Sequence, residues 1–207
     1  MTPLSRRAFV TAATASLLAG CGGPRTHRAA TADPQATSAP SPASGKAVRA
    51  LARSIPVRLL VPAIGVDTPV LRLGLAPDGG VQVPPVTAHD RAGWYRHSPT
   101  PGQIGPSVIL GHVTVGAYGD GVFRHLARLR RGDRIEARLE NGTAAVFTAA
   151  AVRTVAKADF PADDVYGNVD RPELRLITCG GPRTGDGYLD NVIVFAALSS
   201  ASSATRP

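Results

Sequence analysis

Apolar and polar side chains alternate along most of the chain between residues 55 and 197, which is the two-residue period of β-strands. The alternation is clearest over residues 174–179, where Leu174 and Leu176 share one face and Ile177 and Cys179 share the other. Further stretches with strand character lie at residues 57–62, 66–71, 81–83, 107–110, 134–139, 145–155 and 192–195. About eight strands with little helix fit one closed barrel. The sequence therefore predicts an all-β fold, a single eight-stranded β-barrel with one or two short helices.

Turn and helix signals divide these strands. The chain contains 22 Gly and 18 Pro, a content that favours turns over helices. Residues 122–129 carry apolar side chains at helical spacing and predict a short helix, whereas residues 160–167 predict an irregular loop. The cluster Gly180-Gly181-Pro182 predicts a turn directly after Cys179. Cys179 is therefore expected at the tip of a strand, beside a flexible loop.

The N-terminus has the pattern of a bacterial export signal over residues 1–21. Arg6 and Arg7 precede the apolar residue Phe9, an order that resembles a twin-arginine motif. The apolar run at residues 9–19 is shorter than the roughly 20 residues that span a bilayer, but it is typical of a signal peptide. Residues 18–21 resemble a lipobox, in which the thiol of Cys21 receives a diacylglycerol. The alternative is a soluble secreted protein that is cleaved nearby and in which Cys21 is incidental.

Composition and charge divide the rest of the chain. Residues 22–53 are rich in Ala, Ser, Thr and Pro and predict a disordered tether, residues 54–198 predict the folded domain, and residues 199–207 predict a disordered tail. Residues 1–53 hold seven basic side chains against one acidic, while the remainder holds 16 against 14. Because the folded domain lacks a basic excess, no nucleic-acid partner is expected.

The two cysteines have different expected roles. If Cys21 carries a lipid, Cys179 has no disulfide partner in an oxidising compartment, which favours a functional thiol. The alternative is that Cys179 is buried and inert, as lone cysteines usually are. A nucleophilic thiol needs a proton-transfer partner, and His112 follows an apolar strand just as Cys179 does. The Cys and His spacing does not fit zinc, and no nucleotide-binding motif occurs, so no metal and no cofactor are expected.

Several short motifs occur in an order that resembles the sortases. They cover roughly residues 55–197: Ile109-Leu110-Gly111-His112-Val113, Phe123-Arg124-His125-Leu126, Leu129-Arg130-Arg131-Gly132-Asp133, Val165-Tyr166-Gly167 and residues 174–181. The Asp190-Asn191-Val192-Ile193-Val194 segment, with Gly93-Trp94-Tyr95 and Pro101-Gly102, is more narrowly similar to the actinobacterial sortases of class F.

This resemblance implies an eight-stranded barrel and a cysteine transpeptidase that cuts a Leu-Pro-x-Thr-Gly-like sorting signal in secreted proteins. It implies that Cys179 attacks the Thr carbonyl to form a thioacyl intermediate, and that His112 protonates the departing amine and deprotonates the incoming one. The acceptor would be an amine of a peptidoglycan precursor or a pilin, or water. Together with Cys21, the resemblance predicts a lipid-anchored enzyme on the outer face of the cell membrane.

The resemblance also implies an Arg that steadies the oxyanion or the substrate. The position that holds this Arg in the best-known sortases is Asn191 here. Arg183, in the predicted loop after Cys179, is therefore the expected third residue. Arg175 is a further candidate because the strand alternation points it the same way as Cys179.

Three other functions remain open from the sequence. One is a cysteine transpeptidase acting on peptidoglycan crosslinks, although Thr178-Cys179-Gly180 does not match the Ser-x-Gly-Cys context of that class. Another is a lipid-anchored β-barrel binding module with an inert Cys179. The third is an inactive sortase relative. Reactivity of the Cys179 thiol in the folded protein separates the last two alternatives from an enzyme.

Overall fold

A computed structural model describes residues 48–185 and 187–203, which form a closed β-barrel. Ten strands occur in this part of the chain: β1 Pro56–Val61, β2 Val66–Leu73, β3 Ala92–Tyr95, β4 Gly105–Leu110, β5 Thr114–Val115, β6 Gly119–Asp120, β7 Arg134–Leu139, β8 Thr143–Ala156, β9 Pro172–Thr184 and β10 Gly187–Ser203. Eight of them close the barrel in the order β1-β2-β3-β4-β9-β10-β8-β7, and β5 pairs with β6 in a separate hairpin. The predicted all-β, eight-stranded barrel is confirmed.

Strand pairing brings distant parts of the sequence together at β4 and β9. These two strands run parallel, and Ser107 to Leu110 pair with Leu174 to Ile177. The hairpin partner of β9 on its other side is β10, which also pairs along its length with β8. Strand β4, which precedes His112, and strand β9, which carries Cys179, are therefore neighbours in the barrel wall.

Alternation along the strands creates an inner and an outer apolar cluster. Leu174 and Leu176 point into the barrel, where they pack with fully buried Trp94 and Phe147. Ile177 belongs to a second cluster on the outer face, which is covered by the only α-helix in the described ranges, α1 (Ala162–Tyr166). Apolar side chains thus pack on both faces of β9, which holds in place the strand that carries Cys179.

The strand β9 continues past Cys179 to Thr184, so the prediction of a turn directly after Cys179 is wrong. Gly181 and Pro182 instead form a β-bulge, in which these two residues oppose Leu189 of β10. Gly181 has φ 71°, a left-handed conformation that glycine adopts readily, and Pro182 has no N–H to leave unpaired. Pairing with β10 overrides the local turn preference, and Cys179 lies within β9 rather than at its tip.

The helix expected at residues 122–129 is not an α-helix. Consecutive three-residue turns occur there, with a 3-10 helix over Leu126–Arg128, and they bury Phe123, Leu126 and Leu129 at a spacing of three. The single α-helix, α1, lies instead in the segment for which the sequence predicts an irregular loop. The short strand expected at residues 81–83 is reduced to one bridge between Leu75 and Val81.

Both ends of the described region contact the barrel. Leu51, in the stretch for which the sequence predicts a tether, donates its N–H to the Gly102 carbonyl at 2.8 Å. At the other end, β10 continues to Ser203, which pairs with Thr143. The predicted export signal with Cys21, and most of the predicted tether, lie outside the described residues. No helix in the described ranges has the length and apolar character needed to cross a membrane.

Candidate active site

Cys179 lies at the edge of a cavity at one end of the barrel. Its thiol forms no disulfide within the part of the chain that the structure describes, and the residue is partly exposed. The cavity has a volume of about 300 Å³, and Cys179 shares its wall with Arg124, Thr178, Tyr188 and Val192. A small molecule or an extended peptide segment therefore has room to reach the thiol, which distinguishes Cys179 from a buried core cysteine.

His112 follows the neighbouring strand β4 by two residues, at the level of Cys179. Leu110 is the register partner of Ile177, and the Gly111 N–H donates to the Ile177 carbonyl at 3.1 Å. His112 follows Leu110 by two residues, just as Cys179 follows Ile177. The parallel pairing thus brings the backbone positions of these two distant residues side by side at the same level.

The imidazole of His112 is oriented by a backbone carbonyl. Its Nε2 lies 2.6 Å from the carbonyl oxygen of Pro84, which lies within the segment between β2 and β3. Since a carbonyl only accepts hydrogen bonds, Nε2 carries the proton in this arrangement, and Nδ1 is the nitrogen left for proton transfer. No hydrogen bond joins His112 to Cys179 across residues 48–185. The Pro84 carbonyl therefore fixes the orientation of the His112 ring.

The three other residues singled out from the sequence occupy different places. Asn191 is the direct cross-strand partner of Cys179 in the β9–β10 register. Arg183 is exposed, and its guanidinium carbon lies 5.8 Å from the ring centre of Tyr188. Arg175 is buried, with 3% of its surface exposed, four residues before Cys179. None of these three residues lines the cavity beside the thiol.

Arg175 fastens α1 to the outer face of the barrel. Its guanidinium pairs with Glu173 at 2.6 Å, donates to the Asp164 carbonyl at 3.2 Å and lies 4.6 Å from the ring centre of Phe195. Arg153 lies over the same ring at 4.7 Å and pairs with the Asp164 carboxylate at 2.8 Å. Because its donors are used in these contacts, Arg175 has a structural role in this arrangement.

Replacing Arg175 with methionine is expected to lower the free energy of unfolding by about 3 kcal/mol, because it leaves the buried Glu173 carboxylate without its buried partner. Urea unfolding measures the change. Arg153→Met is the matched control, since Arg153 makes an exposed ion pair worth less than about 1 kcal/mol. A loss for Arg175→Met no larger than that of the control would contradict the structural role.

Burial also affects the pKa of Tyr166, on the same outer face of the barrel. The pKa of Tyr166 at the end of α1 is raised, chiefly because burial disfavours the charged phenolate and secondly because of the nearby Tyr95. The two rings meet edge to face at 6.4 Å between centres. Tyr166 therefore stays a neutral, partly exposed aromatic surface at ordinary pH.

Three residues at the cavity were missed by the sequence reasoning. Arg124 is a cavity-lining cation, with its Nε 3.0 Å from Asp120. Thr178 is 4% exposed, and its hydroxyl oxygen has no hydrogen-bond partner among the described residues. Tyr188 contributes its ring to the same wall. Adjacency to Cys179 was a signal for Thr178, whereas Arg124 and Tyr188 reach the cavity only through the tertiary fold.

Solved structures with the same fold belong to sortases. The match to sortase A of Listeria monocytogenes has a TM-score of 0.56 at 16% identity and covers 74% of this chain and 92% of that one. The match to the SrtA sortase of Actinomyces oris has a TM-score of 0.55 at 23% identity and covers 80% and 93%. The match to the Clostridium perfringens sortase D5 transpeptidase has a TM-score of 0.52 at 24% identity and covers 70% and 79%. At these identities the likeness establishes the fold.

The fold and the partly exposed thiol define a barrel of the sortase type. The profile of the sortase domain matches residues 59–199, which is more than half of the chain. The chain therefore belongs to the sortase family, a family of cysteine transpeptidases. No curated protein sequence matches the chain significantly.

Proposed function

We propose that this protein is a sortase that cleaves a Leu-Pro-x-Thr-Gly-like sorting signal through a thioacyl intermediate on Cys179. The observation that carries the proposal is the partly exposed, unpaired thiol of Cys179 beside a cavity of about 300 Å³ in a sortase domain. An inert core cysteine would not border such a space. The position of His112, just after the adjacent parallel strand β4, supports a paired role for the two residues.

The proposed reaction has two acyl-transfer steps. Once the Cys179 thiol has passed its proton to His112, its sulfur attacks the Thr carbonyl carbon of the signal, the Thr–Gly C–N bond breaks, and His112 gives that proton to the departing amine. In the second step an incoming amine gives a proton to His112, attacks the thioester carbon and releases the Cys179 sulfur as the C–S bond breaks. Nδ1 of His112 is the nitrogen proposed to move both protons, because Nε2 is bonded to Pro84.

The proposed substrates are secreted proteins with a C-terminal sorting signal, and the acceptor is an amine of a peptidoglycan precursor or a pilin, with water as the hydrolytic alternative. Export and attachment of a lipid to Cys21 would hold the enzyme on the outer face of the cell membrane. Membership of class F rests on the sequence motifs and stays a prediction. No cofactor is needed for thiol-based acyl transfer.

The direct test is a fluorogenic library of Leu-Pro-x-Thr-Gly-like peptides, incubated with the full chain in the presence and absence of an added amine. Cleavage of at least one sequence, with formation of the amide product when the amine is present, is the expected result. The alternatives of a binding module or an inactive relative predict no cleavage of any member. Cleavage without amide formation would indicate a hydrolase.

Arg124 and Arg183 can be compared directly as candidates for the cation that acts beside Cys179. Arg124 lines the cavity whereas Arg183 does not, so the geometry favours Arg124 over the position expected from the resemblance. Arg124→Ala is expected to lower kcat/KM roughly 100-fold, in the range for loss of an oxyanion-stabilising donor, and Arg183→Ala by no more than about threefold. Steady-state cleavage of the best library peptide measures both. The reverse order would reinstate Arg183.

A further inference from the structure

One hydrogen bond joins the segment after His112 to the hairpin that carries Cys179. The hydroxyls of Thr114 and Tyr188 lie 2.8 Å apart, although the two residues are separated by 74 positions in the sequence. Thr114 begins β5, two residues after His112, and Tyr188 lies near the start of β10. The same Tyr188 side chain lines the cavity that contains Cys179.

The backbone at His112 is therefore tied to the barrel wall on both sides. On one side, the Gly111 N–H is bonded to the Ile177 carbonyl of β9. On the other, Thr114 is bonded to Tyr188 of β10, which pairs with β9. The His112 carbonyl also accepts from the Phe123 N–H at 2.8 Å, so these bonds together fix the backbone that carries the imidazole.

Tyr188 is held in place by contacts of its own. It pairs with Arg183 across the hairpin, next to the β-bulge, and the Arg183 guanidinium lies 5.8 Å from its ring centre. The hairpin is closed by a hydrogen bond from the Thr184 hydroxyl to the Gly187 carbonyl at 3.2 Å. The phenol is thus presented to Thr114 from a paired position near the start of β10.

We propose that Tyr188 is a positioning residue, whose hydrogen bond to Thr114 sets the distance and angle between His112 and Cys179. This inference rests on the proposed function for its catalytic consequence, but the tie itself acts on the protein without substrate. Displacing a reacting group by about 1 Å is enough to lower turnover by one to two orders of magnitude. The tie acts through His112, and the phenol takes no part in proton transfer.

The test uses substitutions that delete one hydroxyl each. Tyr188→Phe keeps the ring in the cavity wall, and Thr114→Val keeps the branched side chain in β5. Each is expected to lower kcat roughly tenfold and to leave KM within about twofold, since substrate contacts are retained. The double variant is expected to be no slower than either single variant, because one shared bond is lost only once. Thr114→Ser restores the hydroxyl and is expected to restore kcat.

Tyr118→Phe is the matched control. Tyr118 lies in the adjacent turn with 51% of its surface exposed, and its hydroxyl has no hydrogen bond within the described residues. Its loss is expected to leave kcat unchanged. Thermal unfolding of each variant checks that the barrel remains folded under the assay conditions.

A second readout needs no substrate. In a Cys21→Ser background, the imidazole ¹H and ¹⁵N resonances of His112, assigned with a His112→Ala sample, are expected to shift in Tyr188→Phe and Thr114→Val. They should return in Thr114→Ser and stay unshifted in Tyr118→Phe. Unshifted His112 resonances in both Tyr188→Phe and Thr114→Val would overturn the inference. Additive losses of kcat in the double variant would also overturn it. If the parent cleaves no peptide, the proposed function fails, while the resonances still decide whether the tie positions His112.

Discussion

Replacing Cys179 with alanine is expected to lower cleavage of a sorting-signal peptide by more than about 10⁴-fold, because no other side chain at the cavity supplies a nucleophilic sulfur. Since Cys179 is partly exposed, the same change should alter the free energy of unfolding by less than about 1 kcal/mol. Initial rates with the best library peptide and urea unfolding of the folded chain measure the two effects.

Cys21→Ser is the control for this experiment. It removes the only other cysteine of the chain, which lies far from the domain in sequence, and it should leave cleavage intact. An inert cysteine would give the opposite outcome at position 179, with cleavage retained and stability lost. That result would favour the binding module with a structural thiol.

The alanine variant of His112 is expected to lower kcat by about 10²–10⁴-fold, because the departing amine then leaves without a proton from the enzyme. KM should change little, since the His112 ring is bonded to Pro84 and is not part of the cavity wall. Single-turnover cleavage separates the acylation step from release of the product. The expected loss lies in acylation.

His97→Ala provides the comparison for His112. His97 is exposed in the loop after β3, and its substitution should leave kcat within about twofold of the parent. Equal losses in the two variants would mean that a general effect on the fold, rather than proton transfer at His112, explains the result.

The barrel could be predicted because apolar and polar residues alternate along most of its strands. Strand β7 coincides with the predicted residues 134–139, and β4 and β9 contain the runs predicted for them. The same alternation puts Ile177 and Cys179 on one face. What alternation cannot supply is the order of the strands, and that order is what brings His112 beside Cys179.

Local preferences failed where tertiary pairing outweighs them. The Gly181-Pro182 pair is a strong turn signal, yet its pairing with β10 makes it a bulge inside β9. The spacing at residues 122–129 suggested an α-helix, but burial of Phe123, Leu126 and Leu129 at every third residue suits a run of 3-10 turns.

The site was predictable only in its central pair. Cys179 and His112 could be singled out from the sequence because each comes at the end of an apolar run with glycine beside it. The hydrogen bond between His112 and the Pro84 carbonyl joins residues 28 positions apart, and the bond between Tyr188 and Thr114 joins residues 74 positions apart. Contacts over such separations leave no local signal in the sequence. Arg175 shares a face with Cys179 as expected, but its donors are used by Glu173 and Asp164.

The most direct measurement is the intact mass of the Cys21→Ser chain, quenched in acid during turnover of a Leu-Pro-x-Thr-Gly peptide. Cys179 is then the sole thiol. A mass increase equal to the acyl portion of the peptide, located on Cys179 by fragmentation and removed by hydroxylamine, is the expected result, and Cys179→Ala should show none. Cleavage that continues in Cys179→Ala, or an acyl adduct at another residue, would contradict a Cys179 thioacyl enzyme.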